Sequence, residues 1–206
     1  VPIAVTALDA QELERIGAVG YTQLSDYVPN FSFNALTNAG FVIPSLRGIG
    51  LTGSTESAIS NNPATGIYID GVYLSSTAAN LFSLLDVERV EILRGPQGTL
   101  YGRNTIGGVI SIVSRQPSQT LTGRLNASYG SFDRMQIGGS VSAPIVEGKL
   151  FGRLGASYLS RDAYVDNLFD TPNAAAAESA ADTDFLRSFV TRGSLLFTPT
   201  ERLKLT

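Results

Sequence analysis

The segment from Gly48 to Gly53 has the glycine spacing of a dinucleotide-binding loop, GxGxxG. Asp70 follows at about the distance of the acid that binds the ribose in such sites. A pyrophosphate site also needs a helix that begins within the glycine loop, because the helix N-terminus faces the phosphates. The residues after Gly53 are polar and soon reach Pro63, which leaves too little room for that helix. We therefore interpret Asp70 as a turn residue, and a nucleotide-binding oxidoreductase stands as the enzymatic alternative.

Three acidic residues, Asp86, Glu88 and Glu91, could supply a carboxylate pair for glycoside hydrolysis. They lie in or beside an apolar run, Val87–Leu93, that has the composition of a strand. Because side chains alternate along a strand, Glu88 and Glu91 would point to opposite faces. We expect these acids to serve the structure.

Arg47 and Arg94 each end an apolar run and are each followed directly by glycine. An arginine among apolar residues usually has an acidic partner, since removing one partner of a buried ion pair costs about 3–5 kcal/mol. Glu91 or another local acid is one possible partner. A carboxylate elsewhere in the protein is the other.

The composition excludes several kinds of chemistry. Histidine and cysteine are both absent, which rules out thiolate and imidazole zinc sites, Ser-His-Asp triads and Cys-His dyads. The net charge is only −3 and no basic patch is visible, so we expect no nucleic-acid partner. No cofactor and no metal site is predicted.

The first 117 residues read as a small α+β unit. A strand, Pro2–Leu8, precedes a helix that Asp9 and Glu12 cap and that ends at Gly17. Asp70-Gly71 predicts a type I′ turn in the middle of a hairpin, Ile67–Leu74. The other predicted elements are a short helix at Thr22–Tyr27, strands at Phe31–Phe33 and Phe41–Leu46 with Pro44 at an edge, and strands at Val87–Leu93 and Val109–Val113 around a glycine-rich linker.

After Pro117 the sequence alternates apolar and polar residues with a period of two. The alternation predicts strands at Leu121–Tyr129, Met135–Ala143, Leu150–Arg161 and Phe185–Thr198, with a last short turn at Pro199–Arg202. Connections that are short at one end and long at the other, as at Asp162–Asp184, are typical of an outer-membrane barrel. Tyr129 and Tyr158 fall where an aromatic girdle would lie. A soluble antiparallel sandwich would show the same alternation.

Six segments, in the same order along the chain, carry a family resemblance: Val1–Thr6, Leu46–Gly50, Tyr68–Tyr73, Val87–Pro117, Tyr129–Arg134 and Pro199–Leu203. With these residues the chain resembles TonB-dependent outer-membrane receptors, in which an N-terminal plug lies inside a barrel of about 22 strands. The resemblance implies an α+β plug domain, residues 1–117, followed by antiparallel strands of a truncated transmembrane β-barrel, residues 118–206. It also implies a TonB box upstream of Val1 and further strands after Thr206.

The resemblance implies a function as well: energised uptake of a scarce solute across the outer membrane of a Gram-negative bacterium. The expected partners are TonB, outer-membrane lipid, and a ferric siderophore or another small nutrient complex. Arg47 and Arg94 would form an ionic lock that holds the plug to the barrel. Outward-facing loops would contact the ligand, with Gly53, Ser54, Ser75, Ser76 and Asn80 as candidates. The plug motif itself would comprise Gly48, Asp70, Gly71, Gly95, Pro96, Gly102, Gly107 and Gly108.

Two alternatives from other classes stay open on the sequence. One is the oxidoreductase, which a helix over residues 54–66 would favour. The other is a passive porin or an adhesive β-domain, which the alternating strands alone would allow. The sequence shows no diagnostic cluster of aromatic residues or arginines, so it does not distinguish siderophore from cobalamin, haem or oligosaccharide.

Overall fold

The computed structural model describes residues 4–18, 21–35, 42–50, 63–74, 84–163, 186–200 and 203–205. The chain divides into two compact units, Val1–Arg115 and Gln116–Thr206. In the described ranges no helix combines the length and the apolarity needed to cross a membrane.

The first unit contains a five-stranded mixed sheet. Its strands are β1 (Ala4–Asp9), β4 (Thr65–Ile69), β5 (Val72–Tyr73), β6 (Val87–Arg94) and β7 (Gly108–Ser114). They lie in the order β1-β6-β7-β4-β5 across the sheet. β4 and β7 pair in parallel, and every other pair is antiparallel. The two arms of the predicted central segment, β6 and β7, are therefore neighbours in the middle of the sheet.

Short helices and a second, two-stranded sheet accompany this sheet. Helix α1 (Ala10–Arg15) begins as the sequence predicts, because the side chain of Asp9 accepts a hydrogen bond from the Glu12 amide at 2.9 Å. The helix predicted near Thr22–Tyr27 is a 3₁₀ helix, Tyr21–Asp26. β2 (Phe31–Ala35) and β3 (Val42–Leu46) pair with each other alone, so Pro44 lies in an edge strand as expected.

Apolar side chains cover both faces of the main sheet. Ile67, Ile92 and Ile110 are register partners on one face and belong to the larger core with Leu24 and Leu46. The opposite face carries a smaller cluster of Tyr68, Leu93 and Val109. A sheet buried on both faces needs near-continuous apolar strands, which explains why β6 and β7 lack a clean alternation.

Gly108 is the residue that lets β7 begin between these layers. Its φ of +148° lies in a region that side chains rarely adopt. A Cβ at this position would overlap the carbonyl oxygen of Leu93 and lie 2.7 Å from Cδ1 of the buried Leu46. Glycine is therefore required here both by backbone conformation and by space.

The second unit is an antiparallel meander in which each strand pairs with the next along the chain. Its strands are β8 (Thr122–Gly130), β9 (Arg134–Val146), β10 (Leu150–Arg161), β11 (Leu186–Thr200) and β12 (Leu203–Leu205). β11 continues through Thr200, past the start of the turn predicted at Pro199–Arg202, because Thr200 still pairs with Leu203 of β12.

One face of the meander is apolar and exposed. Leu125, Val141, Leu154, Tyr158 and Phe189 lie on this face, and each is more than a third exposed. Tyr158 is the register partner of both Phe189 and Ile137, so aromatic rings gather towards the end of the sheet where the β8–β9 turn lies. An apolar outer face with aromatic residues near one rim is what a lipid-facing barrel wall presents.

Candidate functional site

One edge of the main sheet gathers the loops that the sequence marked as functional. The Gly50 carbonyl accepts from the Ala64 amide, and the Ala64 carbonyl accepts from the Gly107 amide, each at 2.8 Å. The Gly107 carbonyl in turn accepts from the Gly95 amide at 2.9 Å. We call these four residues, Gly50, Ala64, Gly95 and Gly107, the loop edge.

The predicted ligand-facing residues, Gly53, Ser54, Ser75, Ser76 and Asn80, lie outside the described residues. Their flanking positions are visible. Gly50 and Ala64 bracket the first loop at the loop edge. The Leu74 amide, which precedes the second loop, donates to the Ile67 carbonyl. Because β5 runs antiparallel to β4, the chain at Leu74 leads back towards the end of β4 that lies next to Ala64.

Arg94 ends β6 at the loop edge and is partly buried. Its Nη2 donates to Thr6 Oγ1 on β1 at 3.1 Å, and its Nη1 donates to the Pro29 carbonyl at 3.4 Å. Its Nε is buried without a hydrogen-bond partner. A buried guanidinium N–H with no acceptor is costly, so this side chain has capacity for an additional acceptor.

Arg47 approaches the same place from β3. Its φ is +55°, and its amide donates to the Asn30 carbonyl at 2.8 Å, next to the Pro29 carbonyl that Arg94 uses. A Cβ placed on Gly95 would lie 3.5 Å from Arg47 Nη1. The exposed Arg47 side chain therefore reaches the residue next to Arg94, an approach that the separation of the two arginines in sequence did not show.

Neither lock residue has an acidic partner within the described part of the chain. Glu91, which the sequence offered as a local partner, instead accepts a hydrogen bond from Nε of Arg89 at 2.7 Å. Glu88 binds the same guanidinium through Nη1 at 2.9 Å. The hydrogen bond that Arg89 donates to Glu91 and the charges of both acids raise the pKa of Arg89 above its ordinary value. A register shift between Val87 and Arg89 brings both acids to one arginine, although simple alternation separates them.

Asp70 has the turn role that the sequence predicted. Asp70 and Gly71 have φ of +50° and +82°, and the Asp70 carboxylate accepts from the Ser114 amide at 2.7 Å. The Asp70 amide donates to the Ile112 carbonyl. Asp70 thus extends the β4–β7 pairing. Of residues 54–66, where a helix would have favoured the oxidoreductase, residues 54–62 lie outside the described residues, and Thr65 and Gly66 are strand residues.

The sequence analysis missed a tyrosine cluster next to the loop edge. The Tyr68 hydroxyl donates to the Tyr101 carbonyl at 2.5 Å, and its ring contacts those of Tyr73 and Tyr101. Asn104 donates to the Tyr73 hydroxyl at 3.0 Å. Burial is the main cause that raises the pKa of Tyr68 above 10.0. The bond from Tyr68 to the Tyr101 carbonyl ties down the short helix α2 (Gly98–Tyr101) of the glycine-rich linker. Pro96 lies two residues before this helix, and Gly102 is its C-cap.

A set of arginines in the second unit was also missed. Strand register places five of them on the polar face of β8–β11: Arg124, Arg134, Arg153, Arg161 and Arg192. They are scattered along the sequence, and only the pairing of strands shows that they share a face. The alternation of each strand was the signal that could have revealed them.

The fold and these sites define a class: a small mixed-sheet domain whose loop edge carries two converging arginines, followed by an amphipathic antiparallel meander. The profile of the family described as TonB-dependent Receptor Plug Domain matches residues 1–109. The chain belongs to this family. Its members are transporters and not enzymes, which excludes the oxidoreductase alternative. The predicted fold class, a plug followed by antiparallel barrel strands, is confirmed.

Relatives and solved structures agree with the family. The pesticin receptor of Yersinia pestis is 36% identical over 150 residues, which are 73% of this chain and 21% of the relative. The ferrioxamine B receptor of Salmonella typhimurium is 24% identical over 175 residues, 82% of this chain and 23% of the relative. The chain thus spans about a fifth of the length of the curated relatives it matches.

Two solved structures show the likeness in three dimensions. The crystal structure of the ferric yersiniabactin uptake receptor FyuA from Yersinia pestis matches with a TM-score of 0.80 at 30% identity, covering 97% of this chain and 29% of that one. The pyoverdine outer membrane receptor FpvA from Pseudomonas aeruginosa matches with a TM-score of 0.73 at 20% identity, covering 96% and 25%. The second match shows the shared fold alone.

Proposed function

We propose that this chain is the plug and the first barrel strands of an outer-membrane receptor that takes up a scarce solute with energy supplied through TonB. The observation that carries the proposal is the family match over residues 1–109 together with the similarity to FyuA over nearly the whole chain. Residues 1–117 form the plug in this proposal, and residues 118–206 the barrel strands. The apolar exposed face of the meander supports contact with outer-membrane lipid.

The cargo proposed is a ferric siderophore. The printed names of relatives support it, since they include a ferrioxamine B receptor and a ferric yersiniabactin uptake receptor. A metal-pseudopaline receptor of Pseudomonas aeruginosa, 42% identical over 69 residues, keeps other metal chelates as a second candidate. The loops around Gly53, Ser54, Ser75, Ser76 and Asn80 are proposed to contact the cargo, because their flanks meet at or near the loop edge.

The test is uptake by cells. A strain lacking the full-length gene, with and without a plasmid copy, is given ferric siderophores of different chemical classes under iron limitation. Restored growth and accumulation of iron with one class would support the proposal. If the plasmid copy changes neither binding nor accumulation of any metal chelate, the proposal is wrong.

Arg47 and Arg94 are proposed to hold the plug to acidic residues of barrel strands outside this chain. Support comes from the approach of Arg47 Nη1 to Gly95 beside Arg94, the buried unpartnered Nε of Arg94, and the absence of an acidic partner for either within the described residues. Such a contact stabilises the closed receptor at rest and yields when the plug is pulled.

Replacement of both arginines in the full-length receptor tests this lock. We expect R47Q/R94Q to loosen the plug, so that a large antibiotic normally excluded by the outer membrane enters the cells. R15Q is the matched control, because Arg15 lies on the surface of α1 in an exposed pair with Glu12. A full-length structure in which both guanidiniums bind only plug residues would overturn the lock.

A further inference from the structure

The polar face of the meander concentrates positive charge. We call Arg124, Arg134, Arg153, Arg161 and Arg192 the arginine face. The four strands that carry them, β8–β11, contain no Asp or Glu. Arg187, the other arginine of β11, is the register partner of Ser160 and lies on the opposite, outer face.

Two of these arginines share one level of the sheet, and a third reaches towards that level from the next pleat. Arg124 is the register partner of Ser140, Ser140 pairs with Gly155, and Gly155 pairs with Arg192. This row crosses four strands, so the backbones of its two arginines are about 14 Å apart. Arg153, one pleat away, leans into the middle of the row and donates to Ser140 Oγ at 3.0 Å.

The other two arginines mark the end of the sheet where the β8–β9 turn lies. Arg134 and Arg161 lie next to the last register pair of β9 and β10, Met135 with Ser160. Beyond them the Asp162 amide donates to the Phe132 carbonyl, so the two arginines lie side by side. They are six residues along the strands from the level of Ser140, or about 20 Å. Asn126 and Ser157 face each other over Gly138 between the two levels. The same face also carries Leu159 and Val190 there, so the surface between the two arginine groups mixes polar and apolar residues.

Guanidinium groups bind carboxylate, phosphate and other oxyanions through paired hydrogen bonds, and several like charges in a cleft attract counter-ions from solution. On a barrel strand the face opposite the apolar one lines the interior, where substitutions tune selectivity. A lipid headgroup would have to bind the other face. The arrangement therefore suits a solute inside the barrel.

We propose that the arginine face is a binding surface for an anionic cargo, namely a metal chelate that keeps several negative charges on carboxylate or catecholate oxygens. Arg134 and Arg161 meet the chelate first, and Arg124, Arg153 and Arg192 hold it at a deeper level. This inference rests on the proposed uptake function and narrows its cargo to a charge class.

The experiment uses the full-length receptor in cells and in detergent. Binding is measured for two probes of similar size, a triply anionic ferric tris-catecholate and a neutral ferric tris-hydroxamate. The variants are R153Q and R124Q/R153Q/R192Q. R187Q is the matched control, since it removes the same charge from the outer face of β11. Heat-modifiable migration of the barrel on gels verifies that each variant is folded.

A second readout reports the charge of the surface without any cargo. This chain has no cysteine, so S128C, at an exposed position of the arginine face between the two arginine levels, can carry a fluorophore. Quenching by iodide relative to neutral acrylamide measures the local attraction of anions. This quenching ratio is compared in the parent receptor, R153Q and the triple variant. If the triple variant does not fold, the comparison of R153Q with the parent provides the test.

We expect the triple variant to bind the anionic chelate at least about tenfold more weakly, because hydrogen bonds to charged groups are the stronger kind. The neutral chelate and R187Q should show no such change, and iodide quenching at S128C should fall relative to acrylamide. Uptake confined to the neutral chelate, an equal loss in R187Q, or unchanged iodide quenching would overturn the inference. Reduced iodide quenching in a receptor that takes up no chelate would instead count against the proposed function.

Discussion

Substitution of Gly108 by alanine tests the packing of the plug sheet more sharply than any other single change. Gly108 has φ of +148°, and its added Cβ would meet the Leu93 carbonyl oxygen, which is part of the β6 backbone, and Cδ1 of Leu46. The Leu46 side chain is fully buried, so it has little space into which to move. Neither neighbour can give way cheaply.

Two costs add at this position. A side chain held in a sparsely populated backbone region costs about 1–3 kcal/mol. Overpacking of a filled core costs about 1–3 kcal/mol more. G108A should therefore destabilise the β6–β7 pairing by about 2–6 kcal/mol.

Two other glycines separate these costs. Gly102 has φ of +82° with no atom within 4 Å of an added Cβ, so G102A should show the backbone cost alone. Gly98 has open space and no positive φ, so G98A should be close to neutral. The three variants form a graded series in which strain and overlap are added in turn.

Amide hydrogen exchange on the full-length receptor in detergent measures the series. Exchange at β6 and β7 should accelerate by more than tenfold in G108A, by less in G102A and not at all in G98A. Equal protection of β7 in G108A and G98A would refute the packing described for this sheet.

Three further predictions concern Asp70, Tyr68 and the solubility of the two units. D70N should cost about 1 kcal/mol, seen as faster exchange of the Ser114 amide, because the bond to that amide loses its charge; unchanged exchange would contradict the anchoring role of Asp70. Y68F should also cost about 1 kcal/mol through its lost bond to α2. Because burial raises the pKa of Tyr68, its stabilising contribution is complete below pH 10.0 and is lost as the pH rises above it, so Y68F should flatten the alkaline fall in unfolding free energy. Residues 1–117 expressed alone should stay soluble while residues 1–206 should need detergent, since the latter expose apolar strands; a monomeric 1–206 in plain buffer would contradict this.

Local chemistry in the sequence predicted the elements whose causes are local. Asp9 with Glu12 predicted the start of α1, and Asp70-Gly71 predicted the hairpin turn. In both cases a side chain or a backbone conformation within a few residues decides the structure. The alternation after Pro117 predicted four strands for the same reason.

Long-range pairing decided what the sequence could not show. Arg47 and Arg94 converge only because β3 and β6 end near the same loop edge. The arginine face exists only because the register of β8–β11 aligns positions that lie far apart along the chain. No spacing in the sequence shows that these residues are neighbours. The alternation along each strand shows only the face on which each arginine of β8–β11 falls.

The account is tested most directly by separating ligand binding from transport in cells that carry the full-length receptor. Binding and accumulation of a radioactive ferric chelate are measured in two strains that differ only in an intact or deleted tonB gene. The account predicts equal binding in both strains and accumulation only where TonB is present. Accumulation at the same rate without TonB would contradict it and would favour a passive pore.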